Sequence, residues 1–357
     1  MEVDGEEGPR DEGGPPSAVT QLPRSSGKPA SFFVSKAEEC LSSFPPNLKL
    51  AVMFLEKGPS SGPVKYLQMA QLEDGSACLP LYRTAISMLE SSLASVQSSS
   101  AAFYLSSKKA AASARRAAAA AKAAEEQQLK VDLTRAYCSV AELYLTDLCD
   151  AAEAEQEATA AIQKALQLIP DSPDALLCDA QMKKVKDDAE GAVSAAESLY
   201  TSLKRLREKA LAQARLDPAS FDLSAAEDEE EPDLPSLETR VNAARLFIDV
   251  GMLQQALEVL KTCLEENDED PQVWLVLCCA LFKTQDFDEC LSALDELRER
   301  LERYGISKDD AMAVHEQQLR ELAQKGLNEQ QQQNKQQQQE QQQQEGSSSS
   351  FSSDDEG

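Results

Sequence analysis

Small and large apolar residues recur along this chain at a fixed interval. In NAARLFIDVGMLQQALEVLKTCL (242–264) and VLCCALFKTQDFDECLSALDELR (276–298), Ala244 corresponds to Cys278, Phe247 to Leu281, Ala256 to Cys290, Leu260 to Leu294 and Cys263 to Leu297, each pair 34 residues apart. Within each copy the apolar positions fall in two runs at helical steps, parted by a short polar turn, which predicts an antiparallel pair of helices A and B. The small residues let A and B approach closely, and the large ones fill the space between pairs. Trp274 opens helix A of the second copy, with Leu277, Cys278 and Leu281 following in step.

A helical pair repeating every 34 residues is the tetratricopeptide signature, so the chain is read as an all-α, right-handed superhelix with disordered tails. The same spacing holds upstream. Tyr137, Val140, Ala141 and Tyr144 keep the helix-A steps, and Ala158, Ile162, Ala165 and Pro170 those of helix B, provided that the turn between them is five residues longer. A further pair runs through Leu176, Ala180, Ala192, Ala196 and Leu199, and another, with a shortened turn, through Tyr66, Met69, Ala70, Cys78, Tyr82 and Ala85. Residues 36–58 read as a degenerate capping pair, and 307–326 as a capping helix that starts at a capping-box-like Ser307 and Asp310 and stops at Gly326. The chain thus divides into a disordered acidic N-terminus (1–30), a capping pair with a repeat (31–93), an Ala-rich insertion (94–130), repeats (131–216), an acidic linker (217–236), repeats (237–304), a capping helix (305–326) and a disordered polyglutamine and acidic tail (327–357). The insertion, with SARRAAAAAKAAEEQQ, is strong helix material without an apolar face, so an extended solvated helix or a mobile element is expected.

Composition narrows the chemistry. The 357 residues carry 62 Asp and Glu against 35 Lys and Arg, a formal net charge of −27, and −19 of that lies between residues 31 and 326. So acidic a body repels nucleic acid and the anionic membrane face and attracts basic partners. The short basic clusters, Lys204, Arg205, Arg207 and Lys209, and Arg115 with Arg116, read as solvated faces. No run reaches the ~18 apolar residues of a membrane span, and MEVDGEEGPR lacks the build of a signal peptide; a soluble intracellular protein is expected. The nine cysteines are scattered without a CxxC pair and His315 is the one histidine, so no metal or cofactor is expected. Cys278 and Cys290 occupy small packing positions and Cys263 a later apolar one. No Gly-rich phosphate loop and no nucleophile–base pair is visible, which argues against an enzyme.

Particular stretches narrow the reading further. AELYLTDLCDAAEAEQEA followed by IPDSPDALL, then DLPSLETRVNAARLFIDVGMLQQALEVL and DEDPQVWLVLCCAL, resemble the dedicated assembly chaperones of large-subunit ribosomal protein four over residues 36–304. Glu142 to Cys149 with the acidic turn after it, and Pro-Ser-Leu-Glu-Thr-Arg at 235–240, carry the resemblance most specifically. The insertion, the polyglutamine tail and the missing bulky residue that would open helix A at 237 depart from the family pattern. The resemblance implies a superhelix that captures this ribosomal protein as it is made, holds its long basic loop and accompanies it from cytoplasm to nucleus for pre-60S assembly. An import receptor would then be engaged through the client.

Helix-A positions 2, 5, 9, 12 and 13 line the concave face of such a superhelix. Counting from these steps and into the long turn nominates Glu142, Leu145, Thr146, Asp147, Asp174, Glu238, Val241, Arg245 and Asp249 as client-binding, with Leu145 and Val241 as apolar anchors. Acids prevail, which suits a Lys/Arg-rich extended ligand held by charge-assisted contacts. Two rivals remain. A heat-shock co-chaperone clamp needs Lys, Asn and Arg on three consecutive A helices, and Asn242 and Arg245 are followed by Gln272, Leu275, Val276 and Cys279, so the clamp is incomplete. A generic scaffold in another multiprotein complex is compatible with the fold alone.

Overall fold

The computed structural model describes residues 35–37, 51–52, 55, 62–73, 75–106, 112–216 and 234–349, and these are helix and turn throughout. In chain order the helices are α1 (Pro63–Leu72), α2 (Leu79–Ser106), α3 (Ala112–Leu145), α4 (Ala154–Leu168), α5 (Pro173–Val185), α6 (Ala189–Leu216), α7 (Leu237–Asp249), α8 (Leu253–Glu266), α9 (Pro271–Lys283), α10 (Phe287–Arg303) and α11 (Ala311–Ser349), with one 3-10 turn at Gly75–Cys78. The protein is an all-α tetratricopeptide superhelix. Helices α1, α3, α5, α7 and α9 are the A helices, each packed on the B helix that follows; α3, α5 and α7 also pack on the A helix of the next pair, and α9 on α11.

Local chemistry sets each boundary. Ser172, Ser236 and Asp270 stand just before α5, α7 and α9, and their side chains accept from the backbone N–H of Ala175, Thr239 and Gln272 at 3.5, 3.1 and 2.8 Å. Each cap satisfies a donor that the first turn leaves open. At the other end the A helices close by one device. The N–H groups of Asp188, Met252 and Asp286 reach back to the carbonyls of Lys183, Phe247 and Leu281 at 2.9, 2.8 and 3.0 Å. The preceding residues, Asp187, Gly251 and Gln285, all take positive φ (57°, 83° and 61°). Only glycine adopts that conformation without steric cost, so the turns at Asp187 and Gln285 hold some strain.

Small residues sit where the sequence pattern asks for them: Ala141, Ala158, Ala180, Ala196, Ala244, Ala256, Cys278 and Cys290 are buried. The Cys290 thiol lies 3.4 Å from the Cys278 carbonyl oxygen, the contact that a larger side chain would prevent. Large apolar groups form two main cores. One is built on α2–α5 around Leu89, Tyr137, Tyr144 and Ile162; the other runs from Leu176 to Ala323 around Phe247, Leu260, Leu294 and Leu297. The second core bridges α5 and α6 to α7, so the repeats on either side of residues 217–233 form one array. Ala37, Ala51 and Leu55 pack with Met69 and Leu72; the rest of the expected 36–58 capping pair, like most of the linker and the N-terminal tail, lies outside the described residues.

Three expectations change. The capping helix begins at Ala311, where Asp310 accepts from Met312 N–H at 2.8 Å, while Ser307 serves the turn before it. Gly326 is not a stop. A Cβ there would come within 2.4 Å of the Phe287 ring, so glycine lets α11 cross closely over α10. Beyond it α11 continues to Ser349 through the segment expected to be disordered, because glutamine is a fair helix former and no proline interrupts it. The Ala-rich stretch from 112 is the solvated first half of α3, which makes α2 and α3 a long hairpin.

Candidate functional site: the concave groove

The A helices α3, α5, α7 and α9 lie side by side and their exposed positions form one surface. Glu142 stands near the C-terminal end of α3, at step 9 of the repeat counted from Thr134, Asp174 at position 2 of α5 and Glu238 at position 2 of α7. The Glu142 carboxylate accepts weakly from the Cys178 thiol at 3.9 Å, and Asp174 accepts from the Thr239 hydroxyl at 2.8 Å. Among the described residues, none of the three carboxylates has a cation within 4 Å. Glu142 keeps part of its surface open to solvent, yet the groove surrounds its carboxyl. Burial, then Asp174 and Glu238, hold that carboxyl above the usual carboxylate range, against the opposing hydrogen bond from Cys178. Burial and hydrogen bonding with Cys138 keep the Cys178 thiol protonated. Asp174 and Glu238, from the next two A helices, thus raise the cost of charging Glu142, a cost that an incoming cation would relieve. Among the described residues no group of His, Cys, Asp and Glu is placed to hold a metal ion, and no helix is long and apolar enough to cross a membrane.

The remaining nominated residues divide. Asp147 is exposed in the long turn 146–153, next to Thr146, whose hydroxyl donates to the Glu142 carbonyl oxygen at 2.8 Å. That turn begins with Leu148 N–H bonded to the Leu143 carbonyl at 2.9 Å and adds a second turn before α4, closed by Ala154 N–H on Ala151 at 3.0 Å. It spans eight residues where the turns after α5, α7 and α9 have three, which is the five-residue excess that the spacing demands; the turn after α1, expected to be short, has six, because α1 itself is the shorter element. Leu145 is half-buried against the α2–α5 core. Asp249 is already matched by Lys184 of the neighbouring A helix. Arg245 is exposed and reaches only the neutral amides of Asn242 and Gln272, at 3.2 and 3.3 Å.

Val241 is a correction. It is 4% exposed and packed in the core, because the close approach of α7 to α5 and α9 turns position 5 inward. It offers a ligand nothing. Val185, 67% exposed at the end of α5, is the apolar side chain on this rim that the repeat count missed. Its signal was present, since position 13 had been counted for Asp249 but not for α5. On the outer face, Arg205 and Arg207 from the basic cluster pair with Asp171 and Glu265, as solvated faces do.

Comparison with known proteins follows the same lines. The tetratricopeptide-repeat family model matches residues 247–303. A Schizosaccharomyces pombe protein named "Probable assembly chaperone of rpl4" is 27% identical over 214 residues, which are 60% of this chain and 50% of that protein. An Emericella nidulans protein of the same name is 28% identical over 125 residues, 34% of this chain and 26% of that protein. The chain spans half or less of the length of these curated relatives. A solved structure described as Assembly Chaperone of RpL4 (Acl4), residues 1–338, superposes with a TM-score of 0.54 at 20% identity, covering 74% of this chain and 86% of that one, and so shares the fold. The resemblance drawn from the residues to these chaperones is therefore met by relatives that bear that name.

Proposed function

We propose that this chain is an assembly chaperone that captures newly made large-subunit ribosomal protein four in its concave groove, shields a basic extended segment of it and escorts it to nuclear pre-60S assembly. The observation that carries the reading is the convergence of Glu142, Asp174 and Glu238 from three successive A helices with no cation at hand. A lysine or arginine of the client entering there replaces carboxylate repulsion by attraction. The relatives named for this client support the choice of partner.

Each exposed charge pair contributes only about 0–1 kcal/mol, so affinity needs several pairs together with apolar contact on the rim. Capture should weaken as salt rises, because such pairs are screened over ~10 Å at 0.1 M. The eight-residue turn flanks Glu142 and forms one wall of the site, with Asp147 facing the client. The direct test is a pull-down of the newly made ribosomal protein by Glu142→Lys with Asp147→Lys, beside a thermal melt. Lost capture with a melt no lower than that of the unmodified chain is expected, because neither side chain packs in a core and Glu142→Lys relieves the repulsion from Asp174 and Glu238. Full capture by the double variant would remove the groove from the mechanism. The escort is tested separately: the chain should be found in both cytoplasm and nucleus, its nuclear share falling when the client is depleted, as expected if the import receptor is engaged through the client.

A further inference from the structure

The groove carries a second charge of the opposite sign. Arg245 on α7 and Lys283 on α9 are both exposed, and among the described residues no carboxylate lies within 4 Å of either. Several other cations of these repeats are matched, Arg240 with Glu266, Arg300 with Glu296, Arg303 with Glu269 and Lys184 with Asp249, while Arg135, Lys164, Lys204 and Lys261 have no ion pair among the described residues either. In a chain with 62 acids to 35 bases, two groove cations held only by neutral amides or by nothing run against the composition. Arg245 reaches across to Gln272 of α9 at 3.3 Å, and Lys283 stands at the far end of that same helix. Half-buried Leu275 and Phe282 of the same helix add apolar surface beside it.

Glu238 and Arg245 are two helical turns apart on one face of α7, about 10 Å along its axis. An extended chain covers that distance in about three residues at ~3.3–3.6 Å each. We infer that the groove is bipartite and holds its client in a fixed register, taking an Asp or Glu at Arg245 and Lys283 about three residues from the Lys or Arg held by Glu142, Asp174 and Glu238. This rests on the chaperone reading above and adds a rule for which stretch of a basic protein is chosen. A purely basic tract meets repulsion at the α7–α9 end. A basic stretch with an acid at the right separation does not.

The test uses the full chain and fluorescence anisotropy with three labelled peptides: Lys-Lys-Ala-Leu-Glu-Glu, the same with Gln-Gln at the end, and the same with Lys-Lys at the end. Each is made in both chain directions and the tighter direction is scored. The expected order is Glu, then Gln, then Lys, with about tenfold between first and last from two to three exposed pairs. Arg245→Glu with Lys283→Glu should invert the order, while the melt stays put because both side chains are exposed. Equal binding of the three peptides, or an order that the double variant leaves unchanged, overturns the inference. Equal peptide binding with undiminished capture of the whole ribosomal protein would leave the chaperone reading standing alone. The expected peptide order without capture of that protein would do the reverse, keeping the bipartite groove and removing the client.

Discussion

At one end of the groove α3 and α4 are joined across eight residues, and at the other α7 to α8 and α9 to α10 are each joined across three. The helices differ as well: α2 and α3 have 28 and 34 residues, whereas α7 to α10 have 13 to 17. Yet the small residues that set helix approach are buried alike in both regions, Ala141 and Ala158 in one, Cys278 and Cys290 in the other. Packing therefore constrains only a few positions per repeat, and the connections and solvent-facing steps are free to diverge. They have done so with opposite charge. The unpaired carboxylates run from Glu142 on α3 to Glu238 at the start of α7, and Arg245 and Lys283 stand beyond them on α7 and α9.

The largest effect on this comparison should come from Phe247, fully buried where the core joins α5 and α6 to the regular repeats. Phe247→Ala should cost about 3–5 kcal/mol, and urea unfolding followed by fluorescence at Trp274 and by circular dichroism should lose both regions together. Separate transitions would show that the two ends are independent units. Next is Glu316→Ala on α11, which strips a buried carboxylate from between Arg298 and Arg320, bonded to it at 3.0 and 2.8 Å. The loss should be about 3 kcal/mol, at the low end for a broken buried pair because Arg298 is half exposed. Gly326→Leu should cost about 1–3 kcal/mol by driving a side chain into the Phe287 ring. Both variants should loosen the α11 cap, seen as faster proteolysis after residue 305, and leave client capture at the acidic end intact.

A subtler contrast is in pH. In the folded protein the Glu142 carboxyl stays protonated above its ordinary value of 4.5. Over the range just above 4.5 the native state holds more protons than the unfolded one, so stability should fall as pH rises through that range. A client cation pulls the carboxyl back down, so client affinity should instead increase with pH over the same range. Titrating binding and unfolding against pH for the unmodified chain and for Glu142→Gln checks both signs, since the variant should flatten each slope. The smallest effect concerns the regular turns. Asp187→Gly and Gln285→Gly should each stabilise by about 0.5 kcal/mol, the relief of positive φ less the added freedom of glycine in the unfolded chain. Gly251→Ala should destabilise by a similar amount, and a denaturant series resolves the signs.

Much of this was written in the spacing. Phe247 and Leu281, or Ala256 and Cys290, announce a helix pair because a 34-residue period with fixed small positions has one economical packing. The excess length of the turn after Leu145 followed from the same count. Val241 did not follow, because whether position 5 faces ligand or core depends on how far α7 rolls toward its neighbours. Asp249 looked as free as Glu142 until Lys184, 65 residues away, proved to lie against it. Gly326 and the glutamine run read as a stop and a tail, since nothing local announces Phe287 or the helix that continues past it.

The sequence by itself determined the class of fold, the repeat period and the acidity of the whole, for these depend on local propensity, spacing and composition. Which acids stand unpaired together, and which cations stand apart from them, was decided only by the tertiary structure. Pairing is a matter of distance between helices, and Glu142, Asp174 and Glu238 become neighbours only when α3, α5 and α7 are stacked side by side.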